Sequence, residues 1–256
     1  MLVAVTRAVS PTIVDCELTH LARVPIDVAR AVAEHAMYEE ALGALGATVV
    51  RAPPEPMLPD AVFVEDTALV FAETAVLTRP GAASRRPEVD SMAAVLAAYR
   101  SLSAIESPGT LDGGDVLIVG RTIYVGQSSR TNRDGVCQLE NLLKRWDYEV
   151  IPVEVTGCLH LKSAVTQIAE ILLLVNDRWV RPACFPSLEI VTVAPDEPDA
   201  ANALRINGAV IFPTHHPRTA ERLERAGVRV VPVPCTELAK AEGSVTCCSV
   251  LIEAEA

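Results

Sequence analysis

A carboxylate, a second carboxylate, a histidine, an amide and a thiol recur along this chain at a nearly constant interval. Asp66, Asp112, His160, Asn202 and Cys247 are separated by 46, 48, 42 and 45 residues. They lie in the segments Val62–Asp66, Thr110–Asp115, Leu159–Ser163, Ala201–Leu204 and Val245–Ser249. A deprotonated thiol attacks electrophilic carbon, an imidazole moves protons, and a carboxylate beside the ring fixes its orientation. Cys247, His160 and Asp112 thus form a candidate nucleophile, acid–base and orienting set. Glu65 and Asp66 then need a partner, because paired buried carboxylates cost free energy unless a cation meets them. A planar guanidinium, with several N–H donors, is the obvious one. Arg85 and Arg130, if near the same pocket, would supply the opposite pole for a zwitterionic amino-acid head group.

Residues so far apart meet only if the fold makes their positions equivalent. A period of 42–48 residues is the mark of a repeat architecture. Equivalent positions in a fold with rotational symmetry converge near its axis. Each unit reads as strand, turn, strand, helix, strand. After Asp66 come apolar runs at Thr67–Phe71 and Thr74–Thr78, a helix at Glu88–Arg100 and a strand at Leu102–Ile105. After Asp112 come Val116–Val119, Ile123–Val125, a helix near Gly135–Trp146 and a strand at Glu149–Val155. After Asn202, Ala203–Ile206 and Val210–Phe212 flank Asn207-Gly208, a strong hairpin signal. A helix near Arg218–Ala226 and a strand at Val228–Val233 complete that unit. The unit at His160 has its hairpin, Ala164–Ile168 and Ile171–Val175. Pro182 and Pro186 reduce its helix to a loop or a single turn.

The unit at Cys247 runs out of chain, and the N-terminus holds its missing parts. These are a strand at Leu2–Val9, a helix over Asp27–Leu45 and a strand at Thr48–Arg51. Asp27 and Gly46 are the expected caps, and Val28, Ala31, Val32, His35, Met37, Leu42 and Leu45 the expected buried side. The first and last segments would share one module and close a ring, making residues 1–256 a single domain. Residues 10–25 form a connection long enough to be a functional lid. Cys247 and Cys248, read as part of a short strand, point to opposite faces. The Thr246, Cys248, Val250 and Ile252 face is richer in β-branched residues, which leaves Cys247 as the exposed thiol.

Composition bounds the function classes. Half of the 256 residues are hydrophobic and only 4% aromatic, so the core is built from Val, Leu, Ile and Ala. A net charge of −11 argues against a nucleic-acid partner. Seven cysteines, an odd number with no zinc-like spacing, point to free thiols in a reducing compartment, and the chain reads as cytoplasmic. No apolar run approaches a membrane span, and the N-terminus is not a secretory signal. His215-His216 reads as surface loop, and His20 and His35 suggest no function. Three carboxylates against one neutral imidazole predict a protonated Cys247 until a cationic substrate binds.

These segments carry a family resemblance. The chain resembles the dimethylarginine dimethylaminohydrolases of the guanidine-modifying pentein superfamily. The resemblance runs through Leu58–Asp66, Thr78–Ala82 with Ser84-Arg85-Arg86, Thr110–Asp115, Ser129–Asn132, Leu159–Ser163 and Thr246–Val250. It implies an α/β propeller of five ββαβ units around a pseudo-fivefold axis. It also implies hydrolysis of Nω-methylated arginines to citrulline and methylamine or dimethylamine through an S-alkylthiouronium on Cys247. Carried over by position, His160 is the general acid/base and Asp112 its orienting partner, while Asp66 and Glu65 hold the guanidinium. Arg85 and Arg130 would bind the α-carboxylate and Asp60 the α-amino group. Leu18 falls at the lid leucine, and Ala241 would offer a backbone carbonyl. Ala241-Glu242-Gly243 departs from the usual aliphatic-Asp-Gly, and the lid matches loosely. The implied chemistry needs no metal or organic cofactor; its partner is a small molecule, with a homodimer left open. A deiminase acting on an unmethylated guanidine and a catalytically silent binding protein of the same fold are the alternatives.

Overall fold

Short apolar runs, broken at glycine, asparagine and aspartate turns, form the strands of one unit repeated five times. The computed structural model describes residues 1–253. The expected domain end at Ala256 lies outside the described residues. Strand β1 (Leu2–Thr6) leads through helix α1 (Val28–Ala44) to β2 (Thr48–Arg51). Then come β3 (Ala68–Val70), β4 (Ala75–Leu77), α2 (Glu88–Leu96) and β5 (Leu102–Ala104). The next unit is β6 (Val116–Val119), β7 (Thr122–Gln127), α3 (Arg133–Leu143) and β8 (Glu149–Glu154). The one-turn α4 (Leu161–Ala164) precedes β9 (Val165–Ala169), β10 (Leu172–Val175) and β11 (Glu189–Thr192). The last full unit is β12 (Leu204–Ile206), β13 (Ala209–Pro213), α5 (Pro217–Arg225) and β14 (Val230–Val233). The one-turn α6 (Thr236–Ala239) and β15 (Val250–Glu253) follow.

In every sheet the middle strand pairs antiparallel with the strand before it and parallel with the strand after the crossover. The fifth sheet obeys the same rule with chain ends exchanged. There β15 pairs antiparallel with β1, Leu2 opposite Glu253, and β1 pairs parallel with β2. The shared module expected from the truncated unit at Cys247 is therefore present and closes the ring. Residues from all five leading strands, β3, β6, β9, β12 and β15, line one axial opening. The trailing strands are half-exposed at the rim, so the core lies between neighbouring sheets. Asn207 and Gly208 turn at φ +44° and +75°, the geometry a two-residue hairpin favours. Pro182–Cys184 is the single turn expected there.

Some elements differ from the sequence reading. β1 ends at Thr6 because Arg7 turns inward, donating to the Ala61 and Glu88 carbonyls and to Ser91 Oγ. α3 starts at Arg133 because the Asn132 side chain accepts the Gly135 N–H and caps it. Asp27 caps α1 as expected, but the buried side is Ala31, Glu34, His35, Tyr38, Glu39 and Leu42. Val32 and Met37, expected inside, are 49% and 51% exposed. Residues 31, 35, 38 and 42 follow the helical period, and 32 and 37 fall about 100° off that stripe. Glu34 accepts from Thr236 Oγ1 and the Glu237 N–H; Glu39 accepts from Thr6 Oγ1 and pairs with Arg51. His216, expected in a surface loop, is buried against Phe212, and burial lowers its pKa to about 4. Among the described residues no helix is long and apolar enough to cross a membrane.

Candidate active site

Each residue of the repeated set sits in a tight turn just ahead of its leading strand. Asp66 lies in the 3-10 turn Val64–Thr67, Asp112 precedes the turn Gly113–Asp115, and His160 precedes α4. Asn202 follows the turn Pro198–Ala201. Cys247 also lies in a turn, its N–H bonded to the Ser244 carbonyl. It is not in a strand, so alternation is not what separates the two cysteines. The turn leaves Cys247 half-buried and puts Cys248 in the core, its thiol donating to the Ser244 carbonyl.

His160 Nε2 stands 3.0 Å from Asp112 Oδ2, and Nδ1 lies 3.9 Å from Asp66 Oδ1. Asp112 is fully buried and its other oxygen accepts the Gly81 N–H at 2.8 Å. Asp66 Oδ1 accepts the Gly114 N–H at 2.9 Å and Oδ2 accepts from Arg85 Nη1 at 2.5 Å. Glycine is required at 114 because a Cβ there would come within 2.6 Å of His160 Nδ1 and 2.8 Å of Asp66 Oδ1. Glu65 turns toward the axial opening, where Oε1 meets Lys162 Nζ at 2.6 Å and Oε2 accepts from Thr246 Oγ1 at 2.8 Å.

A small, nearly filled cavity gathers most of the candidates: Asp60, Asp66, Arg85, Arg130, His160, Ala241 and Cys247. Asp60 Oδ2 accepts the Glu17 N–H at 3.1 Å, and Arg130 Nη2 donates to Thr19 Oγ1 at 3.2 Å. Both contacts come from residues 10–25, the expected lid, of which Glu17 lines the cavity. Leu18 is half-buried and packs on the apolar cluster that also carries Cys247, Phe63 and Ala241, but it does not line the cavity. Arg85 is otherwise committed. Nε and Nη2 bind Glu88, Nη2 also faces the Phe63 and Asp60 carbonyls, and Nη1 holds Asp66. Of its five N–H donors one on Nη1 is left for a ligand. Arg130 is the freer cation.

The electrostatics differ in one respect from the sequence reading. Burial disfavours a charged His160, yet Asp66, the Asp112 hydrogen bond and Asp115 outweigh it and push the ring up to about 9. At neutral pH it is an imidazolium rather than the neutral ring expected. Burial works against the Asp66 carboxylate, but His160, Arg85 and the Gly114 N–H hold it well below the usual range. Burial, Glu65 and Asp66 raise the Cys247 thiol far above its ordinary value, so the unliganded thiol keeps its proton as expected. Asp66, Asp112 and His160 bring one ligand-type atom each within 4.8 Å of one another, the one such group among the described residues. Gly81, Gly114 and Arg85 already donate to the two carboxylates, and the His160 ring is bonded to Asp112.

Several residues escaped the sequence reading. Asp115, buried, accepts the Leu161 N–H and the Ser128 hydroxyl, tying the mount of His160 to the loop bearing Arg130. Asn202, Thr246, Glu65 and Lys162 form a closed polar ring. Asn202 donates to the Lys162 carbonyl and to Thr246 Oγ1, Thr246 to Glu65, and Lys162 to Glu65. The phase of Asn202 was the signal for it. Glu17 also lines the cavity with no signal in the spacing, and so do Glu242 and Gly243, which the sequence marked only as part of the Ala241-Glu242-Gly243 motif.

Comparison with known proteins agrees with this architecture. The model of the family described as "N,N dimethylarginine dimethylhydrolase, eukaryotic" matches residues 22–182. An N(G),N(G)-dimethylarginine dimethylaminohydrolase of Streptomyces coelicolor is 39% identical over 96% of this chain and 95% of its own length. One from Pseudomonas aeruginosa is 35% identical over 87% of this chain and 89% of its own. A Pseudomonas aeruginosa enzyme solved with citrulline superposes at a TM-score of 0.91, with 33% identity, covering 97% of this chain and 98% of that one. The N-terminal domain of a cyanobacterial arginine dihydrolase shares the fold at a TM-score of 0.89 and 20% identity, over 98% of both chains. With its fold, its carboxylate-bound histidine and these relatives together, the chain belongs to the dimethylarginine dimethylaminohydrolase family.

Proposed function

We propose that this chain hydrolyses monomethyl- and asymmetric dimethylarginine to citrulline and methylamine or dimethylamine, the whole ring acting as one catalytic domain. The observation that carries this is the polarity of the small cavity that holds Cys247 and His160. Cys247, His160 and Asp66 stand in it together with Asp60 and Arg130. A guanidinium meets the carboxylate of Asp66; the α-amino group meets Asp60 and the α-carboxylate meets Arg130. Arg85 then acts chiefly by holding Asp66 in place, and the Ala241 carbonyl is available to a substrate N–H. Leu18 covers the occupied pocket. Glu65, held by Lys162 and Thr246, contributes charge more than contact.

Arrival of the cationic guanidinium offsets the negative field on Cys247 and favours its thiolate, the thiol proton passing to solvent because His160 already carries one. Sulfur attacks the guanidinium carbon, a C–S bond forms, and the C–N bond to the alkylated nitrogen breaks. The His160 imidazolium, already protonated, gives its proton to the departing amine. Neutral His160 then takes a proton from water, whose oxygen adds to the thiouronium carbon. The C–S bond breaks, releasing citrulline and Cys247. Asp112 keeps the ring aligned through both transfers. The seven free cysteines support a reducing compartment for the protein.

The relatives' names support methylated arginine as substrate, and one relative was solved with citrulline bound. The test is kcat/KM for monomethylarginine, asymmetric dimethylarginine, arginine and agmatine by citrulline or carbamoyl-product release. Methylarginines should exceed arginine by at least roughly 10-fold, a pocket shaped for methyl groups being worth about 1–3 kcal/mol. Equal or faster turnover of arginine would make the chain a deiminase.

A further inference from the structure

Glu242 occupies a backbone conformation that side chains other than glycine rarely adopt, with φ +58°. That geometry aims its half-buried carboxylate at the lid. Oε1 accepts the N–H groups of Thr19, His20 and Leu21 at 3.1, 2.5 and 2.6 Å, and Oε2 also accepts Thr19 N–H at 3.0 Å. Three successive backbone N–H groups turned toward one anion make a nest, which a carboxylate fills with charge-assisted bonds. Ser84 Oγ donates to Glu17 Oε1 and Lys240 Nζ to the Pro25 carbonyl, and two further polar ties of the lid are of another kind. Asp60 accepts Glu17 N–H and Arg130 donates to Thr19 Oγ1. These are the two groups that the proposed function assigns to the substrate's head group. A bound amino acid would draw on both, whereas Glu242 would keep its bonds to the three successive lid N–H groups.

We propose that Glu242 is the latch of the lid, a positioning residue that holds residues 19–21 closed while Asp60 and Arg130 engage the substrate. The kinetic part of this inference rests on the function proposed above; the structural part does not. The latch spans more than 220 residues of sequence, joining the first module's long connection to the turn before Cys247. Its neighbours Ala241 and Gly243 both line the cavity, so closing the lid and shaping the pocket wall are one event.

The discriminating variant is Glu242→Gly, which relieves the left-handed backbone while deleting the carboxylate. A merely structural Glu242 would tolerate it. Glu242→Gln keeps the length and removes the charge, and Glu242→Asp keeps the charge and shortens the reach. Hydrogen exchange of the Thr19–Leu21 amides and alkylation of Cys247 by iodoacetamide are measured on unliganded protein. In the Gly and Gln variants both rates should rise about tenfold or more, with Asp between them and the parent protein. KM for methylarginine should rise roughly tenfold with kcat changed less than about threefold. Exchange and alkylation within about twofold of the parent in Glu242→Gly would overturn the latch, whatever its effect on Tm. Faster exchange and alkylation in a protein that hydrolyses no methylarginine would uphold the latch and reject the functional reading instead.

Discussion

Asn202 holds Thr246 by both ends of its amide: Oδ1 accepts the Thr246 N–H at 3.0 Å, and Nδ2 donates to Thr246 Oγ1 at 2.9 Å. Thr246 immediately precedes Cys247, and its hydroxyl passes the constraint on to Glu65. The fourth residue of the repeated set is therefore bound to the residue that precedes the proposed nucleophile. Replacing it by leucine, Asn202→Leu, leaves the buried Thr246 N–H without a partner, a loss of about 1–3 kcal/mol. A displaced thiol should lower kcat by roughly 10- to 100-fold. Denaturant midpoints and steady-state rates measure the two effects, and an unchanged kcat would mean that the turn is held by other contacts.

The two adjacent cysteines should behave differently. Cys247 lines the cavity, whereas Cys248 is in the core and bonded to a carbonyl. Cys247→Ser should nearly abolish turnover, and Cys248→Ser should leave appreciable activity with some loss of stability. Alkylation of the parent protein against pH should show no reactive thiolate near neutrality, because burial and two carboxylates raise the Cys247 pKa. Adding an unreactive amidine should bring the reactive form to lower pH. Reactivity titrating below about 8.5 without ligand would contradict this.

His160 links stability to alkaline pH. Its pKa rises from an ordinary 6.5 to about 9 in the folded protein. The folded chain then binds the proton more tightly, so the stabilisation is complete below about pH 6.5 and is lost as pH climbs through 9. Its size is on the order of 3 kcal/mol, shared with Asp66 and so counted once. The difference in unfolding free energy between parent and His160→Gln should be flat in mild acid and shrink between pH 6.5 and 9. A difference that grows over that interval would mean a neutral resting ring.

The two arginines of the site should separate in their effects. Arg85 is buried against Asp66 and Glu88, so Arg85→Ala strands both carboxylates and should cost about 3–5 kcal/mol of stability. Arg130 faces the buried Asp112 at the longer distance of 3.8 Å, so Arg130→Ala should cost less stability than Arg85→Ala. Arg130→Ala should weaken free methylarginines far more than agmatine-like compounds, which lack the carboxylate. Equal losses on both substrate types would take Arg130 out of head-group recognition.

A single methyl group tests the packing under the imidazole. In Gly114→Ala the new Cβ meets His160 Nδ1 and Asp66 Oδ1, neither of which can retreat without breaking its own bond. A fall in kcat of about 100-fold is expected, with KM much less affected. Retention of full kcat would show that the ring has room to shift.

What the sequence by itself determined is the repeat and its phase. Strand and hairpin signals depend on nearby residues, so apolar runs, Asn207-Gly208 and the cap at Asp27 read out locally. The constant interval between Asp66, Asp112, His160, Asn202 and Cys247 carried the site with it, because symmetry converts equal phase into nearness. Contacts that break the symmetry had no such signal. The bond from Glu242 to Thr19–Leu21 joins distant segments by a carboxylate's reach. The commitment of Arg85 to Asp66 and Glu88 turns on which anion lies closest once the chain has folded. The charge of His160 is likewise a sum over Asp66, Asp112 and Asp115 at particular distances in a water-poor interior. Residue types and order specify where strands and turns go; only the packed structure decides which buried charges meet.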